Sequence, residues 1–235
     1  MNLRSTRPVT AVLAAISGLV LLASALVASA GTAQAAELEP VILIHGWFGS
    51  SAKMATMRDA LAAAGYPAYA IDLPGQENVA NAEAIADLVR TVRTQTGAAR
   101  VHLVAHSMGG LAARYYIKYL GGVDLVRTYV SMGTAHYGYP PACVLGPKAG
   151  GQMCPSSAFL RDLNTGDDTL GDIAYTTLRH AKESADYTRL DGGACVGVPA
   201  DVNHADEQDS PEFIAAVKVA LGGGCPGTFV DLAIQ

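Results

Sequence analysis

The chain has 235 residues, of which 50% are hydrophobic and 16% are charged, and its formal net charge is −5 at pH 7. This length suits one domain with a sizeable core. The acidic balance disfavours nucleic acid or another polyanion as a partner. The sequence contains neither a dinucleotide fingerprint nor a phosphate-binding glycine loop, and it therefore predicts no cofactor.

The first 35 residues have the features of a secretory signal peptide. Two arginines precede an apolar stretch over residues 9–30, and a small-residue cleavage motif ends at Ala35. The alternative is an uncleaved membrane anchor, because the apolar stretch is long enough to span a bilayer. Its serines, glycine and many alanines favour cleavage. We therefore expect a signal peptide over 1–35 and one secreted domain over 36–235.

Residues 41–44 predict a buried strand that runs into a glycine-bearing loop, His45-Gly46-Trp47-Phe48-Gly49. Such a loop can turn its amides inward and supply half of an oxyanion hole, the set of N–H groups that holds a tetrahedral intermediate. We assign this donor to the amide of Trp47. For His45 we favour a role in ordering the loop over a catalytic one.

Residues 101–110 predict a strand that turns sharply into a helix with Ser107 at the tip. This elbow exposes a nucleophilic hydroxyl above the sheet, and only small side chains fit two positions before and after it. Ala105 and Gly109 meet that condition. The alternative is a serine that only caps a helix. In the catalytic interpretation, the amide of Met108 is the second oxyanion donor.

Apolar runs alternate with segments of helical spacing along the remaining chain, as a parallel sheet requires. The last helix is expected to begin with Ser210 as its cap and Pro211 at its first position. The sequence predicts an α/β fold in which helices flank a mostly parallel, six-stranded sheet with little or no lid. Strands are expected near residues 41–45, 67–71, 100–106, 126–132, 174–179 and 194–198.

The number of cysteines is even, as expected of two disulfides in an oxidising compartment, and they are Cys143, Cys154, Cys195 and Cys225. Three pairings are open. Zinc is the alternative, but the spacings lack the paired short intervals of zinc sites. The acidic cluster of Asp167, Asp168 and Asp172 lacks the spaced ligands of a calcium loop and is predicted to be a solvated turn. No metal site is therefore predicted.

His204 is the best candidate for a general base. It follows the last predicted strand and precedes the final helix, and a hydrolase of this fold has the chain order serine, acid, histidine. The alternative is a solvated loop histidine beside Asp206, Glu207 and Asp209. Because the site of an open parallel sheet lies at the carboxyl ends of its strands, we expect a cleft lined by Trp47, Phe48, Met108, His136, Tyr137 and Tyr139.

These motifs resemble the small secreted bacterial lipases, compact members of the α/β-hydrolase superfamily that are related to minimal, lidless lipases. The resemblance covers nearly all of the chain after the leader. It implies that Ser107 is the nucleophile and His204 the base. The matching motifs are Ile44-His45-Gly46, Val104-Ala105-His106-Ser107-Met108-Gly109-Gly110, Tyr115-Tyr116-Ile117-Lys118, Tyr175-Thr176-Thr177-Leu178 and Leu190-Asp191-Gly192.

The resemblance also bears on the acid and on the disulfides. Counting without gaps from Tyr175 makes Glu183 the acid, whereas a different position for a short deletion makes it Asp186. We favour Glu183, because the length of the loop after the strand fixes where the carboxylate emerges. The resemblance implies disulfides Cys143–Cys154 and Cys195–Cys225, and each of these pairings closes a local segment.

The sequence therefore predicts a secreted, monomeric carboxylic-ester hydrolase, either a triacylglycerol lipase or an esterase, that acts through an acyl-enzyme. Its expected partners are ester or lipid substrates, with transient contact with lipid interfaces. The alternatives are a hydrolase or acyltransferase for another ester, such as a polyester or a phospholipid, and a catalytically silent binding protein with this fold.

Overall fold

The structure is a computed structural model that describes residues 1–2 and 38–234. The apolar stretch and cleavage motif of the predicted signal peptide lie outside the described residues. Every strand and helix given below belongs to one compact unit, Glu37–Gln235. Within the part of the chain that the structure describes, no helix combines the length and the apolar character needed to cross a bilayer.

A single sheet forms the centre of this unit, and its strand order is β2-β1-β3-β4-β5-β6-β7. The first six strands run parallel, and β7 pairs antiparallel with β6. The strands are β1 (Val41–Ile44), β2 (Ala68–Ile71), β3 (Val101–His106), β4 (Val126–Met132), β5 (Ala174–Leu178), β6 (Gly192–Gly197) and β7 (Thr228–Leu232).

The six predicted strands are all present, but the expected six-stranded sheet is wrong by one strand. The seventh, β7, is mostly exposed along its length, so it lacks the buried apolar run by which the other strands were recognised. Its ladder with β6 runs from Thr228 opposite Val196 to Leu232 opposite Gly192. Backbone pairing at the sheet edge, rather than burial, therefore makes this segment a strand.

Helices cover both faces of the sheet because alternate strand residues point to opposite sides. Ile42 and Ile44 pack with α2 and α3, whereas Val41 and Leu43 pack with α1 and α6. The helices are α1 (Ala55–Ala62), α2 (Asn78–Thr96), α3 (Gly109–Tyr119), α4 (Ala158–Leu163), α5 (Ala185–Thr188) and α6 (Pro211–Leu221). As predicted, Ser210 caps α6, and its hydroxyl accepts a hydrogen bond from the Phe213 amide.

Short 3₁₀ turns complete the fold: Ser51–Met54, Gly122–Asp124, Pro140–Val144, Pro147–Ala149, Gly151–Met153 and His204–Asp209. Two of them, Pro147–Ala149 and Gly151–Met153, lie within the segment that the Cys143–Cys154 disulfide closes. A second disulfide joins Cys195 in β6 to Cys225 after α6. Both pairings agree with those that the resemblance implies.

The prediction that the acidic cluster forms a solvated turn is wrong for one of its members. Asp168 is buried and forms an ion pair with Arg114 of α3. It also accepts hydrogen bonds from the Tyr137 hydroxyl at 2.9 Å and from the Asp191 amide at 3.0 Å. These donors come from three distant parts of the chain, which is why the local acidic pattern did not reveal them.

Candidate active site

Ser107 lies between β3 and α3, in the turn that the sequence predicts to be an elbow. Its φ is 53°, in the left-handed region that a residue with a side chain rarely adopts. Its amide donates to the Met132 carbonyl at 2.8 Å, and the Thr134 hydroxyl donates to its carbonyl at 2.8 Å. A Cβ on Gly109 would lie 2.4 Å from the His45 carbonyl oxygen, so this position requires a glycine.

His204 begins the 3₁₀ turn after β6, and its two ring nitrogens face different partners. Nε2 lies 2.9 Å from the Ser107 hydroxyl, and Nδ1 lies 2.8 Å from Oε1 of Glu183. Since a carboxylate only accepts hydrogen bonds, this contact assigns the single proton of the uncharged ring to Nδ1, and in that form Nε2 can accept the serine proton. The three groups form one hydrogen-bonded chain.

Glu183 reaches this position from the loop after β5, and its carbonyl accepts a hydrogen bond from Arg179 at 3.0 Å. Asp186, the other candidate acid, lies in the short helix α5. It is exposed and lines a separate depression with Arg189 and Asp191. The structure therefore brings Glu183, and not Asp186, to the His204 ring.

The electrostatics around His204 favour its charged form. Burial by itself lowers the pKa of an imidazole. The hydrogen bond to Glu183 and the negative charges of Glu183 and Glu207 outweigh burial and raise the pKa of His204 to about 9. Glu207 is a fully buried carboxylate, for which the sequence indicated no role beyond that of a neighbour of His204. Burial raises its pKa, but contacts with His106 and His204 have the larger combined effect and lower it.

The two residues predicted to donate to the oxyanion both border the cleft. Trp47 and Met108 line the same cleft as Ser107. Among the described residues, their backbone amides donate to no other group. The Trp47 indole N–H donates to the Ala149 carbonyl at 3.0 Å and so anchors the loop.

His45 orders this loop, as the sequence predicts. Its Nδ1 lies 2.8 Å from the Gly46 carbonyl, and its Nε2 accepts a hydrogen bond from the Leu73 amide at 3.0 Å. Both ring nitrogens are therefore engaged within the loop and its neighbour. The imidazole is buried and does not line the cleft.

The cleft around Ser107 has a volume of about 520 Å³. Three predicted lining residues are wrong: Phe48 is exposed outside it, His136 is fully buried against Ser131, and Tyr137 belongs to the Asp168 network. The lining residues are Trp47, Ser107, Met108, Leu111, Gly133, Ala135, Gly138, Tyr139, Pro140, Met153, His180, Lys182, Glu183, Ser184, Tyr187, Thr188 and His204. Leu111, Met153 and Tyr187 were missed because helix and turn residues carry no sequence mark of facing a cleft.

Clusters of histidine and glutamate atoms also occur beside Ser107. They combine His106, His180 or His204 with Glu183 or Glu207. Several of these groups contact one another: His204 pairs with both glutamates, and His106 lies 3.4 Å from Glu207. We assign no metal ion to them, and the predicted absence of a metal remains a prediction.

A family model described as "alpha/beta hydrolase fold" matches residues 39–152. A triacylglycerol lipase from Burkholderia plantarii is 34% identical over 137 residues, which are 54% of this chain and 37% of that protein. A triacylglycerol lipase from Pseudarthrobacter phenanthrenivorans is 33% identical over 115 residues, which are 44% of this chain and 35% of that protein. The chain thus matches little more than a third of the length of these curated relatives.

Solved structures agree on the fold. The crystal structure of Aspergillus fumigatus lipase B superposes with a TM-score of 0.67 at 16% sequence identity, and the match covers 81% of this chain and 54% of that one. At this low sequence identity, the structural similarity supports the fold alone.

Proposed function

We propose, from the premise that this chain is a lipase-like protein with the α/β-hydrolase fold, that it is a serine-dependent carboxylic-ester hydrolase. Its substrates are triacylglycerols or simpler carboxylic esters. The observation that carries the proposal is the chain of hydrogen bonds from Ser107 through His204 to Glu183, with distances of 2.9 and 2.8 Å. That chain joins a nucleophile, a base and an acid in the order that acyl transfer requires.

In the proposed mechanism, the Ser107 hydroxyl attacks the ester carbonyl as its proton moves to Nε2 of His204. The amides of Trp47 and Met108 hold the negative oxygen of the tetrahedral intermediate. His204 then gives its proton to the leaving alcohol, and an acyl group remains on Ser107. A water molecule, activated by the same imidazole, then hydrolyses the acyl-enzyme, which releases the carboxylic acid product and restores the Ser107 hydroxyl. Glu183 keeps the proton on Nδ1 and stabilises the imidazolium.

Features of the cleft support an acyl substrate. Leu111, Met153 and Met108 provide apolar walls beside the serine, and such walls bind acyl chains by excluding water. Trp47 and Tyr139 are partly exposed at the cleft, which would suit brief contact with a lipid interface. We propose that the protein acts there as a monomer.

We also propose that the protein is secreted with residues 1–35 as a cleaved leader, which leaves 36–235 as the catalytic domain. The arginines and apolar stretch of that leader support export. The two disulfides fit an oxidising compartment.

The test is to combine ester hydrolysis with labelling of the serine. The wild-type protein should release p-nitrophenol from acyl esters and should react with a fluorophosphonate at Ser107. Ser107→Ala should lower turnover by about 10⁵-fold to 10⁶-fold and abolish labelling, because no other group can form the acyl-enzyme. Ser156→Ala, an exposed serine outside the cleft, is the matched control and should change neither.

Two results would contradict the proposal. One is a folded Ser107→Ala variant with activity within a few-fold of the wild type. The other is a wild-type protein that releases no product from esters of any chain length, which would point to the silent binding protein instead.

A further inference from the structure

A second carboxylate approaches the His204 ring on the side away from Ser107. Glu207 is fully buried, three residues after His204 in the same 3₁₀ turn. Its Oε1 accepts a hydrogen bond from the His180 amide at 3.2 Å. Its Oε2 lies 3.4 Å from Nδ1 of His204 and 3.4 Å from Nε2 of His106. Nδ1 of His204 thus faces two carboxylates, those of Glu183 and Glu207.

The charged groups around this pair come from several elements. His106, at the end of β3, lies against His204 with ring centroids 4.7 Å apart and the ring planes tilted by 32°, and its Nε2 lies 2.9 Å from the His204 carbonyl. His180, after β5, lies 3.8 Å from Glu183. Two further groups near the turn and the loop point elsewhere: Lys182 pairs with Asp201, and Asp206 is exposed.

No arginine or lysine within residues 38–234 forms an ion pair with Glu207. Arg179 is the cation of this loop, but it donates to the carbonyls of His180 and Glu183. A buried charge is costly unless a counter-charge lies beside it. The groups that face Glu207 and can carry a positive charge are therefore the imidazoles of His204 and His106.

The fold leaves room for this carboxylate. Gly133, directly after β4, has a φ of +58°, and a Cβ there would lie 2.2 Å from Oε2 of Glu207 and 2.6 Å from the His204 ring. Any larger residue at Gly133 would displace both side chains. Oε2 of Glu207 also has no hydrogen-bond partner among the described residues. The carboxylate therefore lies beside the His204 ring, and its Oε2 atom can still interact with a positive charge on that ring.

We propose that Glu207 is a positioning residue that shares with Glu183 the stabilisation of the His204 imidazolium. This inference rests on the proposed function for its effect on rate. As the Ser107 proton moves to Nε2, a positive charge forms on the ring. The carboxylates of Glu183 and Glu207, which both face Nδ1, stabilise that charge. Neither glutamate takes a proton. Each carboxylate then partly substitutes for the other, and both make His204 a stronger base.

A double-mutant cycle tests the shared role. Where one carboxylate orients the histidine, its loss costs about 10⁴ in turnover. With two, we expect kcat to fall about 10-fold in Glu207→Gln, about 10²-fold in Glu183→Gln and about 10⁴-fold in the double variant, which exceeds the product of the single effects. Asp206→Asn removes an exposed acid from the same turn and is the matched control, with kcat unchanged.

The pKa of the His204 ring, measured by NMR, gives a readout that a purely structural role would not move. Glu207→Gln should lower this pKa by about one pH unit, and the acid limb of kcat/KM should move down with it, whereas Asp206→Asn should leave both unchanged. The NMR titration does not depend on catalysis. A protein that hydrolyses no ester but shows the shift would contradict the proposed function and leave the electrostatic role of Glu207 standing.

If Glu207→Gln does not fold, the proposal can be tested by NMR on the wild-type protein. The carboxyl ¹³C resonance of Glu207 in the wild type should then change with the same midpoint as the His204 ring. The proposal is overturned if that resonance is flat through the His204 titration. It is equally overturned if a folded Glu207→Gln variant keeps the pKa of His204, or if the loss in the double variant equals the product of the single losses.

Discussion

Two buried carboxylates, Asp168 and Glu207, lie in very different electrostatic surroundings. Asp168 pairs with the guanidinium of Arg114 and accepts hydrogen bonds from a tyrosine and an amide. Glu207 accepts one amide hydrogen bond and otherwise faces two imidazoles. A guanidinium keeps its charge throughout the pH range of folded proteins, whereas an imidazole gains and loses a proton near neutrality. The first surroundings suit a permanent structural link, and the second suit a reaction.

This contrast predicts that changes around Asp168 affect folding, whereas changes around His204 affect rate. The Arg114 side chain also donates to Asn164 at 2.9 Å, and Asn164 donates to the His136 carbonyl at 3.0 Å. The Asp168 network therefore joins α3 to the segments around residues 136, 164 and 191. Among residues 38–234, none of its hydrogen bonds joins it to Ser107 or His204.

The largest expected effect is on stability. Asp168→Asn leaves Arg114 charged and buried without its counter-charge, and breaking a buried pair in this way costs about 3 to 5 kcal/mol. Urea unfolding monitored by circular dichroism measures the loss. Asp172→Asn is the control, because its carboxylate is 94% exposed and its pairing with Arg100 is worth at most about 1 kcal/mol. The comparison fails if folded Asp168→Asn is as stable as the wild type but loses most of its turnover.

The next effect is on rate. Glu183→Gln keeps the shape of the side chain but removes the charge at 2.8 Å from Nδ1 of His204, so kcat should fall by about 10²-fold with little change in KM and in stability. Asp186→Asn is the matched control and should change kcat less than twofold, because this side chain is exposed away from the ring. Steady-state kinetics on a soluble ester separates the two variants.

The opposite result would also be informative. A crippled Asp186→Asn enzyme beside a nearly normal Glu183→Gln enzyme would mean that the loop rearranges and that the acid is Asp186. Equal, small effects of both variants would instead favour a dyad of Ser107 and His204.

The smallest expected effect is the pH dependence of stability. The pKa of folded His204 is raised to about 9, above the unfolded value near 6.5, so its contribution is complete below pH 6.5 and is lost as the pH rises through 9. Burial lowers the pKa of His102 to about 4, and this histidine therefore costs stability as the pH falls below 6.5. Tm should be greatest near pH 6.5.

Histidine substitutions sharpen this prediction. His204→Gln should reduce the decline of Tm on the alkaline side only, and His102→Gln should reduce it on the acid side only, where burial also lowers the pKa of His136. Because the His204 side chain is 41% exposed, solvent screens its interactions and the change in Tm should be modest. An alkaline slope that survives in His204→Gln would show that another group is responsible.

The parallel sheet could be predicted from sequence because its central strands β1, β3 and β4 are largely buried runs rich in apolar residues. The edge strand β7 could not, since both its faces are largely exposed and only pairing with β6 defines it. Ser107 and His204 were found because the elbow and the chain order constrain them locally. The choice of Glu183 as the acid depended on the length of one loop, counted without gaps from Tyr175. The contact between Glu183 and His204 agrees with that choice.

The buried carboxylates escaped prediction for a common reason. Both Asp168 and Glu207 occur in acidic stretches that normally face solvent, and what buries them is distant in the chain. Arg114 lies 54 residues before Asp168. The amide that donates a hydrogen bond to Glu207 belongs to His180, 27 residues earlier. A local pattern of charges carries no information about such partners.

The Cys143–Cys154 disulfide brackets an exposed segment that includes Lys148. Exposed loop tips are preferred sites of proteolytic nicking, and a trypsin-like protease that cuts after Lys148 would break the chain within this covalent loop. The two fragments would stay joined through the sulfur atoms, so the strands that carry Ser107 and His204 would remain parts of one molecule. A single cut there would pass unnoticed until a reducing agent released the fragments.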